Sequence, residues 1–148
     1  MLRCTKYTSY FFILLFSFNV SINIATAAEK KDAPLNIDGT TKVIAEEVIE
    51  LVENIPNLLI IDARIKSDRK QGYIEGSISL PDIETNCKSL AKTIPAKTSP
   101  VLFYCNGVKC GRSVNSSRTA LKCGYKNIYW FRGGFEEWKA KKLPLIKS

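Results

Sequence analysis

Two stretches of this chain constrain its fold more than anything else in it. Leu58-Leu59-Ile60-Ile61-Asp62 and Pro100-Val101-Leu102-Phe103-Tyr104 run apolar without alternation. A strand with one wet face alternates apolar and polar residues, whereas a strand buried on both faces does not, and a parallel sheet covered by helices buries strands in that way. Helical patterns stand between the strand patterns. Over Ala45–Asn54 the residues Val48, Ile49, Leu51 and Val52 form an apolar stripe, with Glu46, Glu47, Glu50 and Glu53 mostly opposite. The first-turn glutamates suit the positive end of a helix dipole. Shorter strands are expected at Thr41–Ile44, Gly76–Pro81 and Asn127–Phe131. Helices are expected at Thr85–Thr93, Ser113–Lys122 and Gly134–Ala140, with Gly124 placed to end the second of these. The alternation of strands and helices along the chain predicts an α/β sheet with helices on both faces. Trp130 and Trp138 are expected in its core or under the last helix.

The first residues read differently. Arg3 and Lys6 precede the apolar run Phe11–Phe18, and Ala25-Thr26-Ala27 is a small-x-small site. This is the layout of a secretory signal peptide over residues 1–27. The competing reading is a retained anchor, but a spanning helix needs about 20 predominantly apolar residues, and Asn19, Ser21 and Asn23 interrupt this run. Residues 28–40 are polar and read as a flexible N-terminal arm. Residues 41–148 remain as one domain, large enough to bury one core. The expected location is periplasmic or secreted, with no stable membrane insertion after cleavage.

Composition removes several chemistries. The chain has 148 residues and no histidine, which excludes the Ser-His-Asp triad, the Cys-His protease pair and histidine-ligated metals. Its 22 Lys+Arg against 14 Asp+Glu give a formal charge of +8. The cations are spread rather than clustered, so they read as solvated surface and not as a nucleic-acid face. Cys87, Cys105, Cys110 and Cys123 lie beyond the leader with no C-x-x-C pair, so no metal and no cofactor are expected. Cys87 and Cys123 read as packing residues, with a bridge between them as the lesser alternative.

Cys105 is the chemical candidate. It stands directly after the buried run 100–104, and ligands of such sheets bind at the carboxyl ends of strands. Asn106-Gly107-Val108-Lys109-Cys110-Gly111-Arg112-Ser113 then leads into a helix. Two glycines let this loop curl so that successive N–H groups turn inward as an anion nest. The helix N-terminus adds positive potential, and Lys109 and Arg112 add full charges. All of these favour a thiolate at Cys105 and would hold an anion beside it.

The remaining motifs make the likeness specific. Asp62-Ala63-Arg64, then Asp68, then Gly72-Tyr73-Ile74-Glu75-Gly76-Ser77 resembles the D-x-R…E…G-H-I-x-G-A signature of the rhodanese family of sulfurtransferases. Tyr104-Cys105 with Arg112-Ser113 resembles its active-site loop, and Gly124-Tyr125-Lys126-Asn127-Ile128 with Gly133-Gly134-Phe135-Glu136-Glu137-Trp138 resembles its closing pattern. The resemblance spans about residues 41–146. It implies a three-layer α/β/α domain with a five-stranded parallel sheet. It also implies a cysteine that takes sulfane sulfur from a small anionic donor such as thiosulfate and passes it, as a persulfide, to cyanide or a thiol. Carried over, Cys105 is the sulfur carrier, the amides of Asn106 to Arg112 cradle the persulfide, Lys109 and Arg112 receive the donor, Ser113 caps the following helix, and Asp62 and Arg64 support the site.

Two departures stand out. Arg112 lies seven residues after Cys105, two more than is usual in the family, and a related phosphatase loop does not match the spacing either. The second departure is Cys110 within the loop. It is open to three readings: a resolving thiol, one half of a resting disulfide, or a loop-filling side chain. A thiol–disulfide module using Cys105 and Cys110 with a redox partner protein, and a binding domain that has lost activity, are the alternative functions.

Overall fold

A computed structural model describes residues 32–147; the expected signal peptide and the start of the arm lie outside them. Five strands form one fully parallel sheet: β1 (Thr41–Val43), β2 (Leu59–Asp62), β3 (Ile78–Ser79), β4 (Val101–Tyr104) and β5 (Ile128–Phe131), in the order β1-β5-β4-β2-β3. The helices are α1 (Ala45–Asn54), α2 (Lys66–Arg69), α3 (Cys87–Thr93), α4 (Arg112–Lys122) and α5 (Gly134–Ala140), with a 3-10 turn at Asp82–Glu84. The α/β class and the five parallel strands are as expected.

β4 shows why the apolar runs do not alternate. Leu102 and Tyr104 join the core cluster with Val48, Phe135 and Trp138, under α1 and α5. Val101 and Phe103 join the cluster with Leu90, Ile94 and Ala120, under α3 and α4. β2 divides in the same way between Ile60 and Ile61. Both faces are covered, so both need apolar side chains. Trp130 and Trp138 are buried as expected, and each indole nitrogen donates a hydrogen bond: Trp130 to Ser113 Oγ and Trp138 to the Pro144 carbonyl.

Several local expectations are corrected. The Gly76–Pro81 strand shortens to two residues at the sheet edge. The Thr85–Thr93 helix begins only at Cys87, because Asn86 caps it: its side-chain oxygen accepts from the amides of Lys88 and Ser89. The described part of the arm is docked rather than loose. Ala33 and Ile37 are buried with Val114 and Trp130, and Arg132 donates to the carbonyls of Ala33 and Pro34. Cys87 and Cys123 are not merely packed but form a disulfide with Cα atoms 5.4 Å apart. Cys87 opens α3 and Cys123 caps the end of α4; these two helices share one face of the sheet, which brings the two ends together.

Candidate active site

β4 is the central strand of the sheet, and Cys105 is the first residue beyond its carboxyl end. The loop 105–111 then turns to start α4. Its carbonyls are engaged from outside. The Cys105 carbonyl accepts from the Phe135 amide (2.8 Å) and that of Asn106 from Glu136 (2.6 Å), both at the start of α5. The Val108 carbonyl accepts from the Ala33 amide (2.7 Å), and that of Gly107 from Cys110 within a tight turn (2.9 Å). The amides of Asn106, Gly107, Val108 and Lys109 find no acceptor among the described residues. A loop with its carbonyls engaged and its amides unspent is a ready anion nest.

α5 can approach this closely because of Gly134. Its φ is +58°, and a Cβ there would collide with the Cys105 carbonyl oxygen. Gly107 lies under the Glu136 side chain, whose carboxylate would have to swing aside for a Cβ. The backbone contact explains the glycine at 134.

Cys105 and Cys110 are joined as a disulfide, with Cα atoms 6.2 Å apart. They are 2% and 6% exposed. The four intervening residues therefore curl enough to bring the second thiol onto the first.

The charged residues divide into two groups. Lys109 is exposed and makes no ion pair among the described residues. Arg112 is engaged: its Nη1 lies 3.0 Å from Asp68 Oδ2, and its Nε 3.9 Å from Asp82 Oδ1. Asn106 Nδ2 donates to the same Asp68 oxygen at 2.8 Å. Arg112 thus braces the loop against α2 and the 3-10 turn, rather than pointing unpaired at the nest. Ser113 does not cap α4. Gly111 occupies the cap position, and Ser113 is buried inside the first turn with its Oγ on Trp130.

Asp62 and Arg64 lie beneath the site as a buried ion pair. Arg64 Nε and Nη2 reach the two carboxylate oxygens at 2.9 and 2.7 Å, and Nη2 also reaches the Gly72 carbonyl. The Asp62 carboxylate further accepts from Tyr104 Oη (2.8 Å) and from Arg69 Nη1 (3.0 Å). Burial pushes the Asp62 carboxyl up, but Arg64 and Tyr104 together outweigh it and hold its pKa below the usual value. Burial raises the Tyr104 phenol, and the charge of Asp62 adds to that. Tyr104, adjacent in sequence to Cys105, therefore remains a protonated donor. The Arg64 guanidinium packs 4.3 Å from the Phe135 ring centre, next to the α5 amide that holds the Cys105 carbonyl. The Tyr73 ring lies 3.6 Å under Arg69, which accounts for an aromatic side chain at that motif position.

The sequence brought Asp68 into view only as a motif position, and it missed Asp82 and Ala33 as partners of the loop. None of the three carries a local signal, because each meets the loop from a distant part of the chain. Among the described residues no group of three acidic or cysteine side chains is placed to hold a metal.

Residues 44–141 match the Rhodanese-like domain family. A rhodanese domain-containing protein of Drosophila melanogaster, CG4456, is 30% identical over 107 residues, covering 65% of this chain and 95% of that protein. Among solved structures, a thiosulfate sulfurtransferase from Pseudomonas aeruginosa superposes with a TM-score of 0.60 at 24% identity, over 73% of this chain and 20% of that one. The polysulfide-sulfur transferase of Wolinella succinogenes has a TM-score of 0.60 at 22% identity, over 74% of this chain and 80% of that one. These two likenesses are likenesses of fold.

Proposed function

The chain belongs to the rhodanese-like domain family, and from that premise we propose that it is an exported sulfurtransferase working through a Cys105 persulfide. The observation that carries this reading is the position of Cys105 at the carboxyl end of the central strand, on a loop whose amides are unspent. Relatives in fold that transfer sulfur from thiosulfate and polysulfide support the substrate class. The N-terminal layout supports export to the periplasm or beyond.

The chemistry begins once the Cys105–Cys110 disulfide is reduced. The nest and the start of α4 favour the Cys105 thiolate over the thiol. The thiolate attacks the outer sulfur of thiosulfate. The sulfur–sulfur bond of the donor breaks, and sulfite leaves with the electron pair. The terminal persulfide sulfur carries the negative charge, in reach of the amides of Asn106 to Lys109. Cyanide or a thiolate then attacks that outer sulfur, and Cys105 leaves as thiolate. Exposed Lys109 supplies the attraction for the incoming anion, while Arg112, tied to Asp68, keeps the loop in shape. No step needs a metal or an organic cofactor.

A second reading, thiol–disulfide exchange with a partner protein, is favoured by the Cys105–Cys110 disulfide itself. One experiment separates the two. The Cys110→Ser protein is reduced, freed of reductant and exposed briefly to thiosulfate, and its intact mass is taken. Sulfur transfer predicts the gain of one sulfur atom, discharged by cyanide as thiocyanate and absent from Cys105→Ala/Cys110→Ser. No gain, in a folded protein, leaves disulfide exchange as the function.

A further inference from the structure

We propose that Cys110 is the internal resolving thiol that displaces the sulfur carried on Cys105, so that the protein releases that sulfur as hydrosulfide. This rests on the persulfide reading of Cys105 and assigns the fate of the sulfur.

The geometry points to it from three sides. First, the two sulfur atoms are bonded to each other across a four-residue curl. Cys110 is thus confined beside Cys105 by the loop itself, and an intramolecular nucleophile so held outcompetes a dissolved one by a large effective concentration. Second, Cys105 is almost inaccessible at 2% exposure. A protein or bulky thiol acceptor has to penetrate the loop, whereas Cys110 is already inside it. Third, Cys110 directly precedes Gly111, the cap of the eleven-residue helix α4, where the helix dipole stabilises a thiolate. The longer spacing between Cys105 and Arg112 makes room for this second thiol.

The step balances as follows. After sulfite has left, the Cys110 thiol gives its proton to the outer sulfur of the persulfide, and its own sulfur attacks Sγ of Cys105. The bond between Sγ and the outer sulfur breaks, and that sulfur departs with the pair as hydrosulfide. The Cys105–Cys110 disulfide forms, which is the state of the structure. The two cysteines are oxidised by two electrons and the sulfane sulfur is reduced by two. A small dithiol then returns the pair to thiols and is itself oxidised to a disulfide. The sum converts thiosulfate and a dithiol into sulfite, hydrogen sulfide and a disulfide.

The test is a single turnover on the full chain carrying Cys4→Ser. The protein is reduced, desalted and mixed with thiosulfate, and sulfite and sulfide are measured separately. The expected result is one sulfite and one sulfide per chain. Tryptic cleavage after Lys109 separates the two cysteines, so the product shows their peptides joined by a disulfide. Cys110→Ser should yield one sulfite, no sulfide and a retained persulfide. Sulfite without sulfide from the parent chain, with the persulfide retained, would overturn the role of Cys110 and leave the persulfide reading intact. No sulfite from either protein would overturn both. A folded Cys110→Ala that still releases a full equivalent of sulfide would also overturn it.

Discussion

At the scale of single residues, the site is held by groups that never meet the substrate. Asp62 is the clearest. It is fully buried and accepts from Arg64, Arg69 and Tyr104. Removing its charge leaves a buried guanidinium uncompensated, which costs about 3–5 kcal/mol. Asp62→Asn should therefore lower the urea midpoint strongly. The sign of the pH dependence follows from its depressed pKa. The stabilisation is fully present above the ordinary value of 3.8 and is lost as pH falls through the folded value. Wild type should thus show an acid loss of stability that is shallower in Asp62→Asn; parallel acid limbs would count against the assignment. Gly134 is the second such residue. An alanine at φ +58° pays about 1–2 kcal/mol for the left-handed backbone alone. It must also push back the Cys105 carbonyl. Gly134→Ala should melt several degrees lower; an unchanged melting temperature would show that α5 can retreat without cost.

At the scale of elements, most were legible, short ones such as β1, β5 and α5 included. β2, β4 and α1 lie within a residue or so of the expected positions because each carries a full apolar pattern, and α4 does so between the glycines at 111 and 124. β3 keeps only two residues at the sheet edge, where nothing in the sequence marks how far pairing extends. α2 is a single turn and too short to show a period. Cys105, Asp62 and Arg64 could be found from strand ends and motif spacing. Ser113 could not be placed correctly, because Gly111 takes the cap position and the Trp130 indole takes the serine. The Cys87–Cys123 bridge needed the distance between two helix ends, which no spacing supplies. That bridge closes a long loop holding β4 and the loop of Cys105. Its loss costs about 2–4 kcal/mol on the chain-entropy account. Cys87→Ser/Cys123→Ser should unfold at lower urea than the oxidised parent and match the parent reduced at that bridge; equal midpoints in oxidised parent and variant would show that the bridge adds nothing.

At the scale of the whole molecule, the loop around Cys105 is where three separate parts of the chain meet. α5 holds its first two carbonyls, Asp68 on α2 holds Asn106 and Arg112, and the N-terminal segment holds Val108 through Ala33. The last attachment is the most exposed to change, since it depends on a short stretch before β1 rather than on the sheet. Arg132, just after β5, fixes that stretch by donating from Nε to the Pro34 carbonyl and from Nη2 to the Ala33 carbonyl. Ile37 anchors the same stretch on Val114 and Trp130. Hydrogen bonds to a charged donor contribute about 1.5–3 kcal/mol each, but here the energy is local, because the segment can detach while the sheet stays folded. Arg132→Ala should therefore leave the urea midpoint of the domain little changed. Its effect should fall on amide hydrogen exchange, which should speed up at the Ala33 amide, bonded to the Val108 carbonyl, and at the Cys110 amide, bonded to the Gly107 carbonyl, while β2 and β4 keep their protection. Exchange that accelerates at Ala33 alone would show that the loop keeps its shape without the segment. Exchange that accelerates throughout the sheet would show that the segment is part of the cooperative core. Faster exchange confined to the two regions joined by the Ala33–Val108 hydrogen bond is the outcome this packing requires, and it would make the stretch before β1 a brace of the site.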